Sequence, residues 1–290
     1  MPRAGIAMSL LSSCRERSIV SGRTAAFTIR RRSAENDRLT LPGRMPYMLD
    51  FDSFKVLTFD CYGTLIDWET GMEELVRPWM AELGGATPLD LVITSFALHQ
   101  AKHQQVRPAL LYPELLARTW HDIEGTFGWE KNESRAKAFA ESVGHWPPFA
   151  DTVGSLRYLS RFYKLAILSN VDNSSLTRTL RLLEVPFVLT VTAEDVGSYK
   201  PGLPHFTRAL EELERQGFAK DDILHVAQSK HHDVMPGRQL GLSTIWVNRR
   251  HNRKGSGATL ATEAEPDLAV TSLAELVVLH KARSRFAAVG

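Results

Sequence analysis

The sequence predicts an α/β fold in which a doubly wound parallel sheet carries an inserted helical cap domain. Strand and helix patterns alternate regularly after Trp146-Pro147-Pro148, which is typical of a mostly parallel sheet covered by helices. Between the first strand and that proline pair, helical patterns follow one another without a strand. A helical block in this position indicates a cap packed over the crevice at the strand ends.

The individual elements follow from hydrophobic periodicity and from the residues that interrupt it. The first strand, 55–60, is a β-branched and aromatic run that ends in an aspartate before a glycine turn. Apolar residues at helical spacing follow over 72–80, and Gly84-Gly85 ends that helix. Further helices are predicted at 89–105, 112–127, 136–143, 153–162, 174–183, 204–216 and 234–240 and from 272, with strands at 164–168, 187–189, 223–227 and 244–247.

The amino-terminal segment differs from the rest of the chain. Residues 1–44 contain nine arginines, no lysine and only three acidic residues, which resembles an organellar transit peptide. The alternative is a start codon placed upstream of the true first residue, Met45 or Met48. We expect this leader to be disordered. The predicted organisation is therefore a leader over 1–48, a core over 49–66 and 147–290, and a helical cap over 67–146.

The composition is that of an ordinary soluble globular protein. The net charge of +2 over 290 residues does not indicate a nucleic-acid partner. Cys14 and Cys61 lie far apart, which fits a reducing compartment better than a disulfide framework. No apolar run approaches the roughly 18 residues of a membrane span. We expect a cytoplasmic protein, or an organellar one if residues 1–44 are a transit peptide, and the apolar cap makes a homodimer plausible.

Polar residues cluster just beyond the predicted parallel strands. The carboxyl ends of such strands meet at one edge of a sheet, so we expect these side chains to lie together. Asp60 alone could simply cap a turn, but partners at the other strand ends favour a chemical role. The cluster contains Asp60, Tyr62 and Thr64 after the first strand, Ser169 and Asn170 after the second, Lys200 in the loop 197–201, and Gln228, Ser229, Lys230 and Asp233 after the fourth.

The residue types in this cluster predict covalent catalysis on a small anionic organic substrate. A cation such as Lys200 near Asp60 favours the ionised, nucleophilic carboxylate. Asp233 can hold that lysine in place. Ser169, Asn170 and backbone amides at helix starts can bind an anionic group of the substrate.

Four segments of the chain combine into a specific set of motifs. They read Phe59-Asp60-Cys61-Tyr62-Gly63-Thr64-Leu65, Leu168-Ser169-Asn170, Tyr199-Lys200-Pro201 and Ala227-Gln228-Ser229-Lys230-His231-His232-Asp233. In this order they resemble the four motifs of the haloacid dehalogenase superfamily, over about 51–276. The resemblance implies a Rossmann-like core, a helical cap inserted after the first motif, and an aspartate that becomes covalently esterified.

Tyr62 separates two reaction classes within that superfamily. Most of its phosphatases carry a second aspartate there as general acid and base, whereas a tyrosine titrates too high for that work. Ser229 stands where many phosphatases have an acidic residue supporting Mg²⁺, and Asp60 with Asp233 alone makes a sparse oxygen site. The motif is similar to that of the (S)-2-haloacid dehalogenases, which need no metal. We therefore expect no cofactor, and Mg²⁺ only if the phosphatase alternative holds.

The resemblance also implies a role for each residue. Asp60 attacks the α-carbon of a 2-haloalkanoate, expels halide with inversion, and is regenerated when water hydrolyses the ester. Lys200 and Asp233 flank the nucleophile and position the water. Substrate contacts come from Ser169 at the carboxylate, Asn170 at the halide, and Tyr62 and Trp68 as apolar walls, while Thr64 supports the Asp60 loop. From their position after the fourth strand, we also expect Ser229 and Lys230 to bind the substrate.

The chain also departs from the dehalogenase pattern. Residues 91–100 contain no arginine, where those enzymes place one that binds the halide. Phe206 replaces a tyrosine, Gln228 a serine and Lys230 an asparagine; Lys230 could accept a more anionic substrate or partly replace the arginine. Two alternatives stay open: a Mg²⁺-dependent phosphate-ester hydrolase and a non-catalytic binding protein that keeps the fold.

Other chemistry-bearing residues receive structural interpretations. His99 and His103 are four apart on a predicted helix, but no third metal ligand accompanies them. At most one of His231 and His232 can face the site, because neighbouring positions point in different directions. We interpret Trp120, Trp129 and Trp146 as packing residues of the cap and hinge.

Overall fold

A six-stranded parallel sheet lies at the centre of the protein, with the strand order β3-β2-β1-β4-β5-β6. The computed structural model describes residues 49–85, 87–252 and 262–287, which belong to one compact unit. The predicted α/β class is confirmed. The prediction for the leader, 1–48, lies outside the described residues. The strands are β1 (Val56–Phe59), β2 (Lys164–Ser169), β3 (Leu189–Thr192), β4 (Ile223–Ala227), β5 (Ser243–Val247) and β6 (Leu268–Val270).

The order of the strands locates a crevice beside β1. The chain runs from β1 through β2 to β3 on one side, then crosses to β4, β5 and β6 on the other. Neighbouring strands are in parallel register, with Phe59 opposite Ile167 of β2 and Val226 of β4. Ligands of such sheets bind where the order reverses, at the carboxyl ends of the strands. Asp60, the residue after β1, occupies that position.

The helices cover the sheet and form one consecutive block between β1 and β2, where the sequence predicts a cap. Several short turns accompany them, including a π-helical turn at Lys230–Val234. The helices are α1 (Trp68–Glu82), α2 (Leu89–His103), α3 (Tyr112–Phe127), α4 (Glu133–Ser142), α5 (Thr152–Leu159), α6 (Asn173–Leu183), α7 (Ala193–Val196), α8 (Pro204–Arg215), α9 (Met235–Gln239) and α10 (Leu273–Ala287).

The block α1–α4, called the helical insertion below, has an aromatic interior. The rings of Trp79 and Trp120 lie 4.9 Å apart, and those of Trp120 and Phe139 lie 5.2 Å apart. Trp120 donates a 2.8 Å hydrogen bond from Nε1 to the buried Glu124, which satisfies the polar end of the indole. Trp120 and Trp129 therefore pack as expected, with ring centroids 6.4 Å apart.

The chain enters and leaves the insertion at one place. Ile66 and Pro148 form an antiparallel bridge, and the backbone N–H of Asp67 donates to Pro147 O at 2.8 Å. These pairs lie at the predicted cap boundaries. The division into core and cap domains itself stays a prediction.

The strands differ from their predicted positions mainly at the edges of the sheet. The apolar run 187–189 predicts the third strand, but the strand is Leu189–Thr192 and alternates apolar with threonine residues. Its last residue, Thr192, accepts a hydrogen bond from Asp195 N and so begins α7, which is absent from the prediction. Strand β6 is also unpredicted, because three residues give too short a pattern. In the part of the chain that the structure describes, no helix is long and apolar enough to cross a membrane.

Candidate active site

Asp60 is fixed at the end of β1 by a tight turn. Its backbone N–H donates to Val226 O at 3.1 Å, and Thr64 Oγ1 donates to Asp60 Oδ2 at 2.7 Å. Thr64 Oγ1 in turn accepts from Gln228 N at 2.8 Å, which joins the turn to the end of β4. Gly63 has φ +94, a backbone conformation that residues other than glycine rarely adopt. The turn therefore holds the carboxylate by both its backbone and its side chain.

Lys200 lies between two carboxylates and uses all three of its ammonium hydrogens. Its Nζ donates to Asp60 Oδ1 at 2.8 Å, to Asp233 Oδ1 at 2.6 Å and to Leu168 O at 2.7 Å. The side chain is buried, with 1% of its surface exposed. A buried ammonium group requires this degree of pairing, because an uncompensated charge would be strongly destabilising.

A buried histidine contacts the same oxygen of Asp233 as Lys200 does. His225 Nε2 lies 3.2 Å from Asp233 Oδ1, and His225 Nδ1 lies 2.9 Å from Thr58 Oγ1. The imidazole donates to the carboxylate from Nε2 when it accepts from the Thr58 hydroxyl at Nδ1. His225 is in the middle of an apolar strand, so the sequence alone suggests a core residue. Its contacts make it a positioning residue for Asp233.

The three buried charges influence each other's protonation. Burial raises the pKa of Asp60 above its ordinary value, although the Lys200 ammonium opposes this shift. Burial also disfavours the ionised form of Asp233, but Lys200 and His225 outweigh it and lower the Asp233 pKa to about 2. The two carboxylates overcome the effect of burial on Lys200 and raise its pKa. Lys200 therefore stays protonated and Asp233 ionised at neutral pH.

A cavity of about 80 Å³ opens directly over Asp60. One wall comes from the strand ends and loops of the core, and the other from the helical insertion and the segment that follows it. The core wall contains Asp60, Tyr62, Ser169, Asn170, Val171, Lys200, Gln228, Ser229, His232 and Asp233; the other wall contains Trp68, Phe96, Gln100, Gln104, Tyr112 and Trp146.

Three buried polar atoms of the cavity residues have no hydrogen-bond partner among the described residues. They are Ser169 Oγ, Trp146 Nε1 and Asp233 Oδ2. A buried polar group without a partner costs free energy, and such groups gather where a ligand or water completes the bonding. The residues that line the cavity thus include a hydroxyl, an indole N–H and a carboxylate oxygen that have no partner among the described residues.

The structure places most of the predicted site residues on this cavity. Trp68 packs on Phe96, with ring centroids 5.6 Å apart, and so forms part of an apolar wall. The Asn170 side chain accepts from Lys200 N at 2.7 Å and donates to Lys200 O at 3.1 Å, which fixes the Lys200 loop. Ser229 also lines the cavity, and its Oγ accepts from His232 N at 2.8 Å.

Lys230 does not line the cavity, contrary to our expectation. Its ammonium group lies 3.3 Å from Glu265 Oε1 and 4.7 Å from the centre of the Trp246 ring. The π-helical turn at Lys230–Val234 directs Asp233 into the site and Lys230 toward β5. The ammonium group of Lys230 is therefore directed away from the cavity, and its predicted contact with the substrate stays a prediction.

Sequence reasoning missed the residues that the insertion and the hinge contribute. Gln100 and Gln104 are four apart on one helical face, a spacing that could have indicated a shared surface. Tyr112 OH donates to Gln100 Oε1 at 3.2 Å. Trp146, which we interpreted as a packing residue, also lines the cavity. Of the two adjacent histidines, His232 lines it, and burial lowers the His232 pKa to about 4.

The donor set does not fit a magnesium ion well. Of the four carboxylate oxygens of Asp60 and Asp233, three already accept hydrogen bonds from Lys200, Thr64 or His225. Over the described ranges, no group of three or more histidine, cysteine, aspartate or glutamate side chains is arranged to hold a metal. Mg²⁺ prefers six oxygen ligands, and these residues supply few that are not already engaged.

Comparison with protein families agrees with the geometry of the strand ends. Residues 54–241 match the family model of the haloacid dehalogenase-like hydrolases. The chain belongs to this family. Within the family it is similar to the pyrimidine 5'-nucleotidase YjjG of Escherichia coli (strain K12), with 30% identity over 149 residues, 50% of this chain. That match spans 60% of the relative's length, less than two thirds of it.

Solved structures of the haloacid dehalogenase-like fold superpose on most of the chain. The L-2-haloacid dehalogenase PA0810 has a TM-score of 0.66 and 24% identity, covering 79% of this chain and 99% of its own. The L-2-haloacid dehalogenase of Xanthobacter autotrophicus has a TM-score of 0.64 and 20% identity, covering 79% and 98%. At these identities the likeness establishes the fold alone.

Proposed function

We propose that this haloacid dehalogenase-like hydrolase cleaves the carbon–halogen bond of 2-haloalkanoates, with Asp60 as the nucleophile. A carboxylate oxygen of Asp60 attacks the α-carbon, the carbon–halogen bond breaks, and the halide leaves with the bonding electrons. Water then attacks the Asp60 carbonyl carbon, which releases the 2-hydroxyalkanoate with inverted configuration, regenerates Asp60 and liberates a proton. Asp233 Oδ2, buried and without a partner among the described residues, is the acceptor available to that water.

The main support for this proposal is the set of acidic residues that line the cavity. Asp60 and Asp233 are the only acids among the described residues that line it, and both are paired with Lys200. Tyr62 is engaged with Thr179 Oγ1 at 2.7 Å, and burial raises the Tyr62 pKa well above its ordinary value. A phosphate ester needs a proton donor for its alkoxide leaving group, whereas a halide leaves unprotonated. The site has a nucleophile without such a donor.

A 2-haloalkanoate has two groups that could accept hydrogen bonds from the two donors without partners: its carboxylate and its departing halide. Ser169 Oγ lies at the core wall, where the substrate carboxylate would bind. Trp146 Nε1 is the buried donor available to the departing halide, in place of the arginine that α2 lacks. Hydrogen bonds to a charged acceptor are stronger than those between neutral groups. The indole therefore stabilises developing halide charge without adding a cation to the site.

The cavity volume also favours a small reacting group. About 80 Å³ is well below the roughly 300–1,000 Å³ of pockets that enclose drug-sized ligands. It accommodates a carboxylate and its α-carbon with the halogen, whereas a nucleotide would have to extend beyond it.

The test is halide release from (S)-2-chloropropionate by the purified protein, with and without Mg²⁺, followed with a chloride electrode. We expect metal-independent release that is lost in Asp60→Asn. A folded wild-type protein that releases no halide from a panel of 2-haloacids would refute the proposal.

A second candidate is phosphate-ester hydrolysis, because the curated relative is named a pyrimidine 5'-nucleotidase. Phosphate release from a pyrimidine nucleoside monophosphate, measured beside halide release and dependent on Mg²⁺, would support this candidate instead. The sparse metal donor set and the absence of a proton donor at position 62 weigh against it.

A further inference from the structure

A second and larger cavity adjoins the cavity over Asp60. It measures about 350 Å³ and lies between α2 and the segment Tyr199–Gly202. The two cavities share four lining residues: Gln100, Gln104, Lys200 and His232. The larger space therefore lies next to the reaction site, with the two glutamine residues shared between them.

The surface of this second cavity is chemically unlike the core wall over Asp60. Ala97, Leu98 and Ala101 present apolar surface from α2, opposite Pro201. None of the described residues that line it is acidic. The Lys200 ammonium is directed to Asp60 and Asp233, away from this cavity. Arg107 also lines the cavity; it is exposed, and its Nη1 donates to the backbone oxygens of Gln104 at 2.9 Å and Val106 at 2.8 Å. Leu98 is 65% exposed, which leaves an apolar side chain uncovered at the edge of the cavity.

The two glutamines shared by the cavities are polar but uncharged. Gln100 Oε1 is held by Tyr112 OH at 3.2 Å, and Gln104 is buried at the end of α2. An arginine at this wall would need a counter-ion or an anionic ligand. Neutral amides let an apolar group pass beside them without leaving a buried charge unpaired.

We propose that the substrate carries an apolar chain beyond its reacting carbon, and that this chain occupies the second cavity. This inference rests on the proposed function and names its substrate class as medium-chain 2-haloalkanoates. At roughly 30 Å³ for each water-sized group, about 350 Å³ holds about ten such groups. The small cavity over Asp60 then contains the carboxylate and the reacting carbon, and the alkyl chain covers the apolar surface of α2.

The first test measures binding without any chemical step. Isothermal titration calorimetry of the full chain compares octanoate with propionate as unreactive probes. Each buried methylene adds to the binding free energy, so octanoate should bind at least about tenfold more tightly. Equal affinity for the two acids would overturn the proposal.

A matched pair of variants assigns that preference to the second cavity. Ala101→Trp places an indole in it, whereas Ala81→Trp makes the same change on the exposed face of α1, away from both cavities. We expect Ala101→Trp to abolish the preference for octanoate and Ala81→Trp to keep it. A preference that survives in Ala101→Trp would contradict the assignment.

Steady-state kinetics tests whether the second cavity also contributes to the reaction. The ratio of kcat/KM for 2-chlorooctanoate to that for 2-chloropropionate should fall at least about tenfold in Ala101→Trp, through the loss of buried chain surface. Ala81→Trp should leave both kcat/KM values unchanged. Absence of halide release from both substrates refutes the proposed function, while the calorimetric comparison still decides whether the second cavity binds an alkyl chain.

Discussion

The core wall and the insertion wall of the reaction cavity differ in the charge of the side chains that line them. The core wall buries two carboxylates and an ammonium group in one hydrogen-bonded network. The insertion wall, which includes Trp146, has aromatic rings and two neutral amides in its described lining, and no charged side chain. The strand ends therefore hold the charged groups of the cavity, and the helices of the insertion supply uncharged surface opposite them.

The largest expected loss follows from removing the nucleophile on the core wall. Asp60→Asn keeps the shape of the side chain but removes the negative charge that attacks carbon. Halide release should fall by about 10⁴-fold or more, as for other enzymes that lose their nucleophile. Chloride-electrode rates, with circular dichroism as a folding control, check this prediction. Retention of a tenth of the activity would exclude Asp60 as the nucleophile.

The next largest effect concerns the cation of the same wall, and it is measurable as stability. Lys200→Met leaves Asp60 and Asp233 buried without their ammonium partner, which should lower the free energy of unfolding by about 3–5 kcal/mol at pH 7. Lys200 opposes the rise that burial causes in the Asp60 pKa, so its removal should raise that pKa further above the value of the unfolded chain. Protonation then favours the folded state, so the deficit shrinks as the pH falls toward about 4.

Urea unfolding of Lys200→Met and wild type at pH 7 and at acidic pH measures this deficit. Phe162 is an exposed aromatic residue away from the cavity, so Phe162→Ala serves as a control for a loss of unfolding free energy that does not depend on the buried charges. A deficit that stays constant with pH would show that packing, not unpaired charge, accounts for the loss.

A smaller effect is expected on the opposite wall. Trp146→Phe keeps an aromatic ring but removes the N–H that we assign to the halide, so kcat/KM should fall about 10- to 100-fold. The loss should be greater for 2-chloropropionate than for 2-iodopropionate, because chloride is the stronger acceptor. Trp129→Phe is the matched control, since Trp129 packs on Trp120 and does not line the cavity. An equal loss for both halogens would indicate a packing role for Trp146.

The smallest effect tests the position of Lys230. Its ammonium contacts Glu265 and Trp246, so Lys230→Met should change kcat/KM within about twofold, as expected for a residue outside the site. A tenfold rise in KM would show that Lys230 reaches the substrate after all.

Sequence patterns predicted the core wall well because strand geometry determines it. The ends of parallel strands meet at one edge, so Asp60, Ser169 and Lys200 could be placed together without coordinates. The structure places the Lys200 ammonium 2.8 Å from Asp60 and 2.6 Å from Asp233. His225 was missed because a histidine within an apolar strand has the pattern of a core residue.

The insertion wall could not be predicted in the same way. Periodicity locates α2 and its faces, but the face that meets the cavity depends on how the helices pack over the sheet. Gln100 and Gln104 acquire their position only from that packing. Trp146 likewise shares its pattern with ordinary packing residues, and Gly71 is needed because a Cβ there would lie 2.3 Å from the Trp146 ring. The direction of Lys230 depends on a π-helical turn that residue patterns do not indicate.

The most direct test of covalent catalysis by Asp60 is turnover of (S)-2-chloropropionate in H₂¹⁸O, followed by mass spectrometry of the peptide that contains Asp60. In the proposed reaction, water attacks the Asp60 carbonyl carbon, so ¹⁸O should appear in the Asp60 carboxylate. The product of the first turnover should carry the original, unlabelled carboxylate oxygen as its hydroxyl. An unlabelled Asp60, with ¹⁸O in the hydroxyl group of the first product, would contradict the account.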